Sequence, residues 1–295
     1  MREFNEHNIT DAVVDRYKNT PDPRLKQIMT SLVRHLHDFV RDVELTQDEW
    51  GKAIDYLTRT GQLCTDKRQE FILLSDTLGV SMLVDAINHR VPKGATETTV
   101  LGPFYVQNPP EAPLGANIQG EAKGEPLYIE GAIHGVDGKP VANATVDIWH
   151  SDAEGFYDVQ KPELDEPTLR ARFHTDSQGR FSFWTITPRY YPIPFDGTVG
   201  EMLKATARHP YRPAHVHFMI MADGFETLVT HLFVKGDEYL DSDAVFAVKE
   251  SLIQEFTQQP PGVAPDGRKL EVPWRKLHFD FGLAQAAAKK TAPAA

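Results

Sequence analysis

The spacing of hydrophobic residues changes near residues 92–94, and this change constrains the fold more than any other feature of the chain. Before it, apolar residues between Leu25 and Val43 recur at the three- and four-residue intervals of one buried helical face. After it, short β-branched and aromatic runs are separated by Asp-Gly and Ser-Gln-Gly turn signals. The pattern predicts a mainly β protein, with an antiparallel β-sandwich domain over residues 96–295 preceded by an α-helical N-terminal region over residues 1–95.

Local signals add detail to both parts. Thr46-Gln-Asp-Glu49 has the form of a capping box, and we expect the helix that it opens to end near Gly61. A further pair of helices is predicted over residues 67–87, and another helix over residues 242–256. Strands are predicted for four short runs, residues 127–131, 144–149, 180–184 and 216–220.

Composition excludes several classes of function. The chain has 31 basic and 42 acidic residues, and its net charge of −11 opposes binding to nucleic acids or anionic membranes. Cys64 is the sole cysteine, which excludes an intramolecular disulfide and an all-cysteine metal site. No apolar run approaches the roughly 18 residues of a membrane span, and the first residues lack the pattern of a signal peptide. We therefore expect a cytoplasmic protein.

Two histidines, His215 and His217, lie in a predicted strand just after Arg212-Pro213. Alternate residues of a strand point to the same face, which places the two Cβ atoms about 7 Å apart. Both imidazoles could then bind one metal ion. Two histidines that face solvent or bond to the backbone would give the same pattern.

This pattern does not identify the remaining ligands of the metal ion. A carboxylate from Asp152, Asp158 or Asp196 would complete a site typical of an Fe²⁺ or Zn²⁺ hydrolase or oxygenase. Tyr157 and Tyr191 are the other candidates, although a tyrosine in a loop most often packs. Its phenolate becomes a ligand beside a strongly Lewis-acidic ion such as ferric iron. A binding module with a helical dimerisation arm and no chemistry is a further interpretation.

Several motifs together resemble those of the intradiol ring-cleavage dioxygenases. In chain order they are Gly155-x-Tyr157, Pro188-x-x-Tyr191, Asp196-Gly197, Gly200 and Arg212-Pro-Ala-His215-Val-His217-Phe218. Two tyrosines followed by His-x-His at this spacing make the match specific, and it extends over nearly the whole chain. The resemblance implies a non-haem Fe(III)-dependent enzyme that cleaves an aromatic diol with O₂.

The resemblance also assigns the metal ligands, with one Fe³⁺ in each subunit. The implied ligands are Tyr157 and His217 in the equatorial plane and Tyr191 and His215 in axial positions. The family's second tyrosine lies three residues after the proline, which selects Tyr191 rather than its neighbour Tyr190. Tyr191 is then expected to accept a proton from the diol. Arg212 is expected to stabilise developing negative charge, or alternatively to form a salt bridge at the strand entry.

Within the family, the sequence is most similar to members that act on hydroxyquinol (1,2,4-trihydroxybenzene) and form 3-hydroxy-cis,cis-muconate, the enol of maleylacetate. Catechol and chlorocatechol members, the alternative, usually carry glutamine where His231 stands; His231 itself could contact the ligands or simply pack. The implied substrate-binding residues are Leu73, Asp76, Val100, Leu101, Gly102, Pro103, Phe104, Ile193, Pro194, Arg212 and Val245. Asp76 could accept a hydrogen bond from the third hydroxyl, or it could be an N-cap at a helix break.

The resemblance finally implies a homodimer formed through the N-terminal helices, with a phospholipid-like molecule held between the subunits. The apolar face from Leu25 to Val43 is compatible with that arrangement and equally with ordinary packing inside one chain.

Overall fold

The computed structural model describes residues 3–65, 68–161 and 163–286. The chain forms two compact units, Met1–Gln62 and Leu63–Ala295. The described part of the first unit contains three helices, α1 (Ile9–Asp15), α2 (Pro23–Asp42) and α3 (Gln47–Gln62). Among the described residues, no helix has the length and apolar content needed to cross a membrane.

Helices α2 and α3 of the first unit begin at side-chain caps. The Asp22 carboxylate accepts from the backbone N–H groups of Arg24 and Leu25, at 2.7 and 3.2 Å, and opens α2. The capping box that opens α3 is confirmed. The Thr46 N–H donates to the Glu49 carboxylate at 2.9 Å, and the Glu49 N–H donates to Thr46 Oγ1 at 3.3 Å.

The apolar face of α2 is mostly exposed in the single chain, which corrects the expectation that it is buried. Val33 is the only buried residue of this helix. Seven apolar side chains at or near α2 are between 44% and 54% exposed: Leu25, Ile28, Leu32, Leu36, Phe39, Val40 and Val43. The periodicity therefore predicted the helix correctly, but it could not identify what covers this face.

Within its described residues, the second unit contains three α-helices and fourteen strands. The helices are α4 (Glu70–Thr77), α5 (Val80–Asn88) and α6 (Thr198–Ala205). The strands are β1 (Pro126–Gly135), β2 (Thr145–His150), β3 (Arg170–His174), β4 (Arg180–Ile186), β5 (Tyr191–Pro192), β6 (Tyr211–Arg212), β7 (His215–Met221), β8 (Leu228–Val234), β9 (Ile253–Gln254), β10 (Thr257–Gln259), β11 (Gly262–Val263), β12 (Lys269–Leu270), β13 (Trp274–His278) and β14 (Phe281–Leu283). The predicted start of the helical pair at residue 67 lies outside the described residues.

Two five-stranded sheets form the sandwich. One has the order β3-β2-β7-β8-β9; the other has the order β10-β13-β1-β14, with β4 also paired to β1. Aromatic side chains join the sheets: the rings of Phe173 and Phe183 stack with centroids 5.1 Å apart, and Phe218 lies 4.8 Å from Phe281. The predicted sandwich is confirmed, but its sheets are mixed, because β13 and β14 run parallel to β1 and β9 runs parallel to β8.

The helix predicted over residues 242–256 is wrong. This segment contains short 3₁₀ turns at Leu240–Ser242 and Glu250–Leu252, followed by β9. The Asp243 carboxylate accepts from the backbone N–H groups of Val245 and Ala247. Phe246 has a φ of +60°, which no α-helix contains. Local hydrogen bonds to Asp243 therefore replace the helical ones.

Candidate metal centre

Strand β7 brings His215 and His217 together at the centre of a sheet. Both side chains are buried on the same face, and their Nε2 atoms are 3.1 Å apart. His217 is flanked in register by Trp149 of β2 and His231 of β8. The neighbouring strands therefore fix the direction of this histidine.

The two tyrosines approach the histidines from loops. Tyr157 follows β2, and its hydroxyl is 3.0 Å from His217 Nε2. Tyr191 begins β5, and its ring centroid is 5.2 Å from that of Tyr157. Gly155 makes this approach possible, because it has a φ of +89° and a Cβ there would lie 2.9 Å from the carbonyl oxygen of Tyr190.

The donor atoms of His215, His217 and Tyr157 have the spacing of ligands that share one metal ion. Metal–ligand bonds of about 2.1 Å, at roughly right angles, place neighbouring ligand atoms about 3 Å apart. The distances from His217 Nε2 to His215 Nε2 and to the Tyr157 hydroxyl, 3.1 and 3.0 Å, match that spacing. His215 Nδ1 lies 2.6 Å from the Pro213 carbonyl oxygen and donates to it, which leaves Nε2 to bind the metal. Two phenols and two imidazoles thus fit the iron site that the family implies.

Burial sets the protonation of these candidate ligands. It lowers the pKa of His215 and of His217 well below the usual histidine range, so both imidazoles are neutral. It raises the pKa of Tyr157 well above that of a free phenol, and the nearby Tyr191 adds to this effect. A neutral phenol is therefore the stable form here until a cation favours the phenolate.

Arg212 lies at the edge of the ligand cluster as a buried, fixed positive charge. Its Nη1 is 3.5 Å from the Tyr191 hydroxyl and 3.4 Å from His215 Nε2. Its Nε donates to the Asp243 carboxylate at 3.1 Å. Burial lowers the pKa of Arg212, but Asp243, Tyr191 and Tyr157 together raise it overall. Arg212 thus forms a buried ion pair and still faces the site.

His231 contacts the ligand cluster directly. Its ring centroid is 4.1 Å from that of His217 and 4.7 Å from that of His215. Its Nδ1 is 3.3 Å from Arg212 Nη2. The ligand atoms of the three histidines all lie within 4.8 Å of one another. These contacts with Arg212 and with both strand histidines favour the expectation that His231 contacts the ligands over the expectation that it simply packs.

The carboxylates that could have completed a different site are engaged elsewhere. Asp152 pairs with Lys161 and accepts from the Phe156 N–H at 2.9 Å. Asp158 pairs with Arg170, whose Nε donates to it at 2.6 Å. Asp196 is largely exposed and pairs with Arg68 at 2.9 Å. Among the described residues, only the three-histidine cluster groups enough histidine, cysteine or carboxylate side chains for a metal ion.

A cavity opens beside Tyr191 and Arg212. It is lined by Leu73, Asp76, Val100, Gly102, Pro103, Phe104, Tyr191, Ile193, Pro194, Arg212 and Val245. Of the substrate-binding residues inferred from the sequence, Leu101 does not line this cavity. Asp76 lies inside α4, and the N-cap of α5 is Gly79, so the N-cap alternative for Asp76 is wrong. Burial raises the pKa of Asp76.

Sequence reasoning missed the residues that hold the ligands in place. Trp149 stacks on His217 with centroids 4.6 Å apart and an angle of 15°. Arg170 pairs with the residue after Tyr157, and Asp243 pairs with Arg212. Asp243 belongs to the sequence motif Asp241-Ser-Asp243, but its partner Arg212 lies far from it in the sequence.

Comparison with known proteins agrees with this geometry. A sequence profile described as "Dioxygenase" matches residues 100–284, and one described as "Catechol dioxygenase N terminus" matches residues 22–96. The chain is 57% identical to a 6-chlorohydroxyquinol 1,2-dioxygenase from Cupriavidus pinatubonensis, over 96% of this chain and 99% of that protein. A catechol 1,2-dioxygenase from Candida albicans is 35% identical over 97% of this chain and 95% of that protein.

A solved structure has nearly the same fold. The crystal structure of hydroxyquinol 1,2-dioxygenase from Pseudomonas putida DLL-E4 superimposes with a TM-score of 0.90. It is 49% identical in sequence, and the match covers 95% of this chain and 99% of that one.

Proposed function

The chain belongs to the intradiol ring-cleavage dioxygenases, and on that basis we propose that it cleaves hydroxyquinol with O₂. The ring opens between the two carbons that carry adjacent hydroxyl groups. Both oxygen atoms enter the product, 3-hydroxy-cis,cis-muconate, which is the enol of maleylacetate. The observation that carries the proposal is a cavity lined by Tyr191, Arg212 and the Asp76 carboxyl group. Its Tyr191 packs against Tyr157, whose hydroxyl lies beside the paired imidazoles of His217 and His215.

We assign one Fe³⁺ per chain to Tyr157, Tyr191, His215 and His217. A ferric ion bound there supplies a strong Lewis acid that favours the ionised diol and its reaction with O₂. Tyr191 both lines the cavity and lies 3.5 Å from Arg212 Nη1. These positions suit Tyr191 to accept a proton from the arriving diol and suit Arg212 to stabilise the anion that forms.

Asp76 is the residue that we assign to substrate selection. Hydroxyquinol differs from catechol by one hydroxyl group, and a buried carboxyl group in the cavity wall can hydrogen-bond to it. With catechol the same carboxyl group would lack that partner, so the discrimination should be strong. We expect Asp76→Ala to narrow the preference for hydroxyquinol over catechol, measured as the ratio of their kcat/KM values; an unchanged ratio would remove Asp76 from this role.

Oxygen uptake by iron-loaded protein tests the whole proposal. We expect one O₂ consumed for each hydroxyquinol, a product whose mass is that of the substrate plus two oxygen atoms, and slower turnover of catechol. 6-Chlorohydroxyquinol belongs in the same series because of the relative from Cupriavidus pinatubonensis. Turnover of catechol or chlorocatechol in preference to both trihydroxy substrates would favour the alternative substrate class.

We further propose a homodimer formed through the helical region, which we place at residues 1–95, with the catalytic domain at residues 96–295. The exposed apolar face of α2 supports this, as does α3, where Trp50, Ile54 and Leu57 are 45–54% exposed. A phospholipid is a suitable occupant of such an apolar interface. Light scattering gives the mass in solution, and mass spectrometry of an organic extract detects the lipid.

A cytoplasmic location is proposed from composition. Cys64 is the single cysteine and is not in a disulfide. This cysteine usage is typical of a reducing compartment. Fractionation of the producing cells would test the proposal.

A further inference from the structure

Two separate segments of the chain contribute walls to the substrate cavity. Helix α4 contributes Leu73 and Asp76. The irregular segment after β8 contributes Val245. Since neither segment belongs to a sheet, strand pairing does not fix the distance between these walls. A side chain that bonds to both segments would therefore control the shape of the cavity.

Arg208 makes such a connection. Its Nη1 donates to the carbonyl oxygen of Thr77 at 2.7 Å, and its Nη2 donates to the carbonyl oxygen of Ala244 at 3.1 Å. Thr77 directly follows Asp76, and Ala244 directly precedes Val245. One rigid guanidinium group thus binds the backbone beside a cavity residue on each segment.

Phe246 strengthens the connection. The guanidinium carbon of Arg208 lies 5.1 Å from the centroid of the Phe246 ring. Phe246 has a φ of +60°, a conformation that a bulky side chain keeps only where its surroundings hold it. A Cβ at Gly79 would lie 3.5 Å from the same ring, so the ring also packs against the turn between α4 and α5. Two independent contacts therefore join the same two segments.

Arg208 is itself held at a third point. Its backbone N–H donates to the Leu203 carbonyl oxygen at 2.8 Å, just beyond the end of α6. It lies outside the cavity lining and touches none of the proposed iron ligands in any described contact. Its influence on the substrate must therefore act through the backbone of the two walls.

We propose that Arg208 is a positioning residue that sets the separation of Asp76 and Val245 and so determines the preference for a trihydroxy over a dihydroxy ring. The proposal rests on the proposed function. A hydrogen bond from Asp76 to the third hydroxyl depends on its distance, and a displacement of about 1 Å is enough to lose most of it. The proposed metal ligands, which would meet the two vicinal hydroxyls, lie on neither of the two segments.

Arg208→Ala and Arg208→Lys test the proposal against a matched control. Lysine keeps the charge over Phe246 but cannot bond to both carbonyls as a planar fork. The control is Arg189→Ala, since Arg189 also lies over an aromatic ring, that of Tyr190 at 5.0 Å, and its side chain bonds to no backbone carbonyl among the described contacts. The measurements are kcat and KM for hydroxyquinol and catechol, the iron content, and the visible absorption band that arises from charge transfer between tyrosinate and Fe³⁺ (the visible tyrosinate band).

For Arg208→Ala we expect KM for hydroxyquinol to rise about tenfold, with a much smaller change for catechol. The kcat values, iron content and visible band should stay close to those of the wild type. Arg208→Lys should recover part of the preference, and Arg189→Ala should behave as the wild type. If Arg208→Ala does not fold, Arg208→Lys alone decides, because it must still narrow the preference.

Equal losses for both substrates, or a preference that does not change, would overturn the proposal. Anaerobic titration separates this outcome from failure of the proposed function, because without O₂ the diols bind but are not cleaved. A wild-type protein that does not cleave hydroxyquinol contradicts the proposed function. The ratio of the two dissociation constants, compared between the wild type and the Arg208 variants, then still judges Arg208.

Discussion

The two halves of the proposed metal centre, the strand half with His215 and His217 and the loop half with Tyr157 and Tyr191, are built in different ways. His215 and His217 belong to a strand in the middle of a five-stranded sheet, with a paired strand on either side. Tyr157 lies in a loop, and Tyr191 begins a two-residue strand that pairs only with another strand of two residues. The histidines are therefore positioned by many backbone hydrogen bonds, whereas the tyrosines depend on a few side-chain contacts.

Those few contacts are strong and buried. Asp158, next to Tyr157, forms a buried ion pair with Arg170, which also donates to the Phe104 carbonyl oxygen at 3.1 Å. The Phe104 ring stacks on that of Tyr157 with centroids 4.4 Å apart. Loop ligands held in this way can be loosened by a single substitution. The two histidines should resist such a change, because the backbone hydrogen bonds that join β7 to β2 and β8 remain.

Removal of a ligand from either half should have the largest effect. We expect Tyr157→Phe and His217→Leu each to lose the iron and to lower kcat/KM by more than about 100-fold, the upper range for residues that only support a ligand. Iron content and the visible tyrosinate band are the measurements. Tyr157→Phe keeps the ring that stacks on Phe104, so its melting temperature without metal should match that of the wild type. Full iron content in Tyr157→Phe would instead favour a site with a carboxylate ligand.

The second prediction concerns the ion pair that supports the loop half. Arg170→Gln leaves the Asp158 carboxylate buried without its charged partner, which should lower the free energy of unfolding by about 3–5 kcal/mol. Urea unfolding measures this loss. Iron should also leave faster, because Asp158 adjoins the ligand Tyr157.

Arg180→Gln is the matched control for this ion pair. Arg180 pairs with Asp176 in an exposed hairpin, and its loss should change the free energy of unfolding by less than about 1 kcal/mol. If Arg170→Gln released iron no faster than Arg180→Gln, the loop half would not depend on its ion pair.

The same difference explains how much could be predicted from the sequence. The strand half follows from local pattern: the short apolar run at residues 216–220 predicted β7, and His-x-His placed two imidazoles on one face, where they could bind one metal ion. The capping box at Thr46 is likewise local and is confirmed. Tyr157 and Tyr191 were proposed as ligands through family resemblance, because their spacing alone did not distinguish a ligand from a packing residue.

Long-range partners could not be predicted from local pattern. Asp243 pairs with Arg212 across the fold, and this pairing accounts for the irregular segment where a helix was predicted. The parallel strands β13 and β14 return to β1 from the far end of the sequence, and nothing in their own residues specifies that direction. The cover of the α2 face likewise depends on atoms outside the helix.

The third prediction tests the sheet beneath the histidines. His150 is fully buried in β2, where Nδ1 donates to the Ser151 carbonyl oxygen at 2.7 Å and Nε2 lies 2.6 Å from Thr185 Oγ1. Burial lowers the pKa of His150 to about 4. The unfolded chain binds a proton below its own pKa of about 6.5, whereas the folded chain does not until about pH 4. Stability should therefore fall by up to about 3 kcal/mol as the pH drops from 6.5 to 4.

His150→Gln removes this titration and serves as the comparison. Urea unfolding of both metal-free proteins between pH 4 and pH 7 measures how the free energy of unfolding of each protein changes with pH. The variant should lose less stability on acidification than the wild type. If the free energy of unfolding fell equally with pH in both proteins, other buried groups would cause the acid sensitivity. His150 would then make no contribution to it.

The smallest expected effect concerns Trp149, a side chain that supports the strand half. His217 Nδ1 has no hydrogen-bond partner among the described residues, so its ring is oriented by stacking on Trp149 and by contact with His231. Trp149→Phe keeps an aromatic face, whereas Trp149→Leu does not. An aromatic contact contributes about 0.5–1.5 kcal/mol beyond its buried area, so iron should dissociate from the leucine variant about two- to tenfold more readily than from the phenylalanine variant. Competition with a chelator measures the dissociation constant of iron for each variant. Equal constants would mean that the sheet alone orients His217, which would make the contrast with the loop-borne tyrosines sharper still.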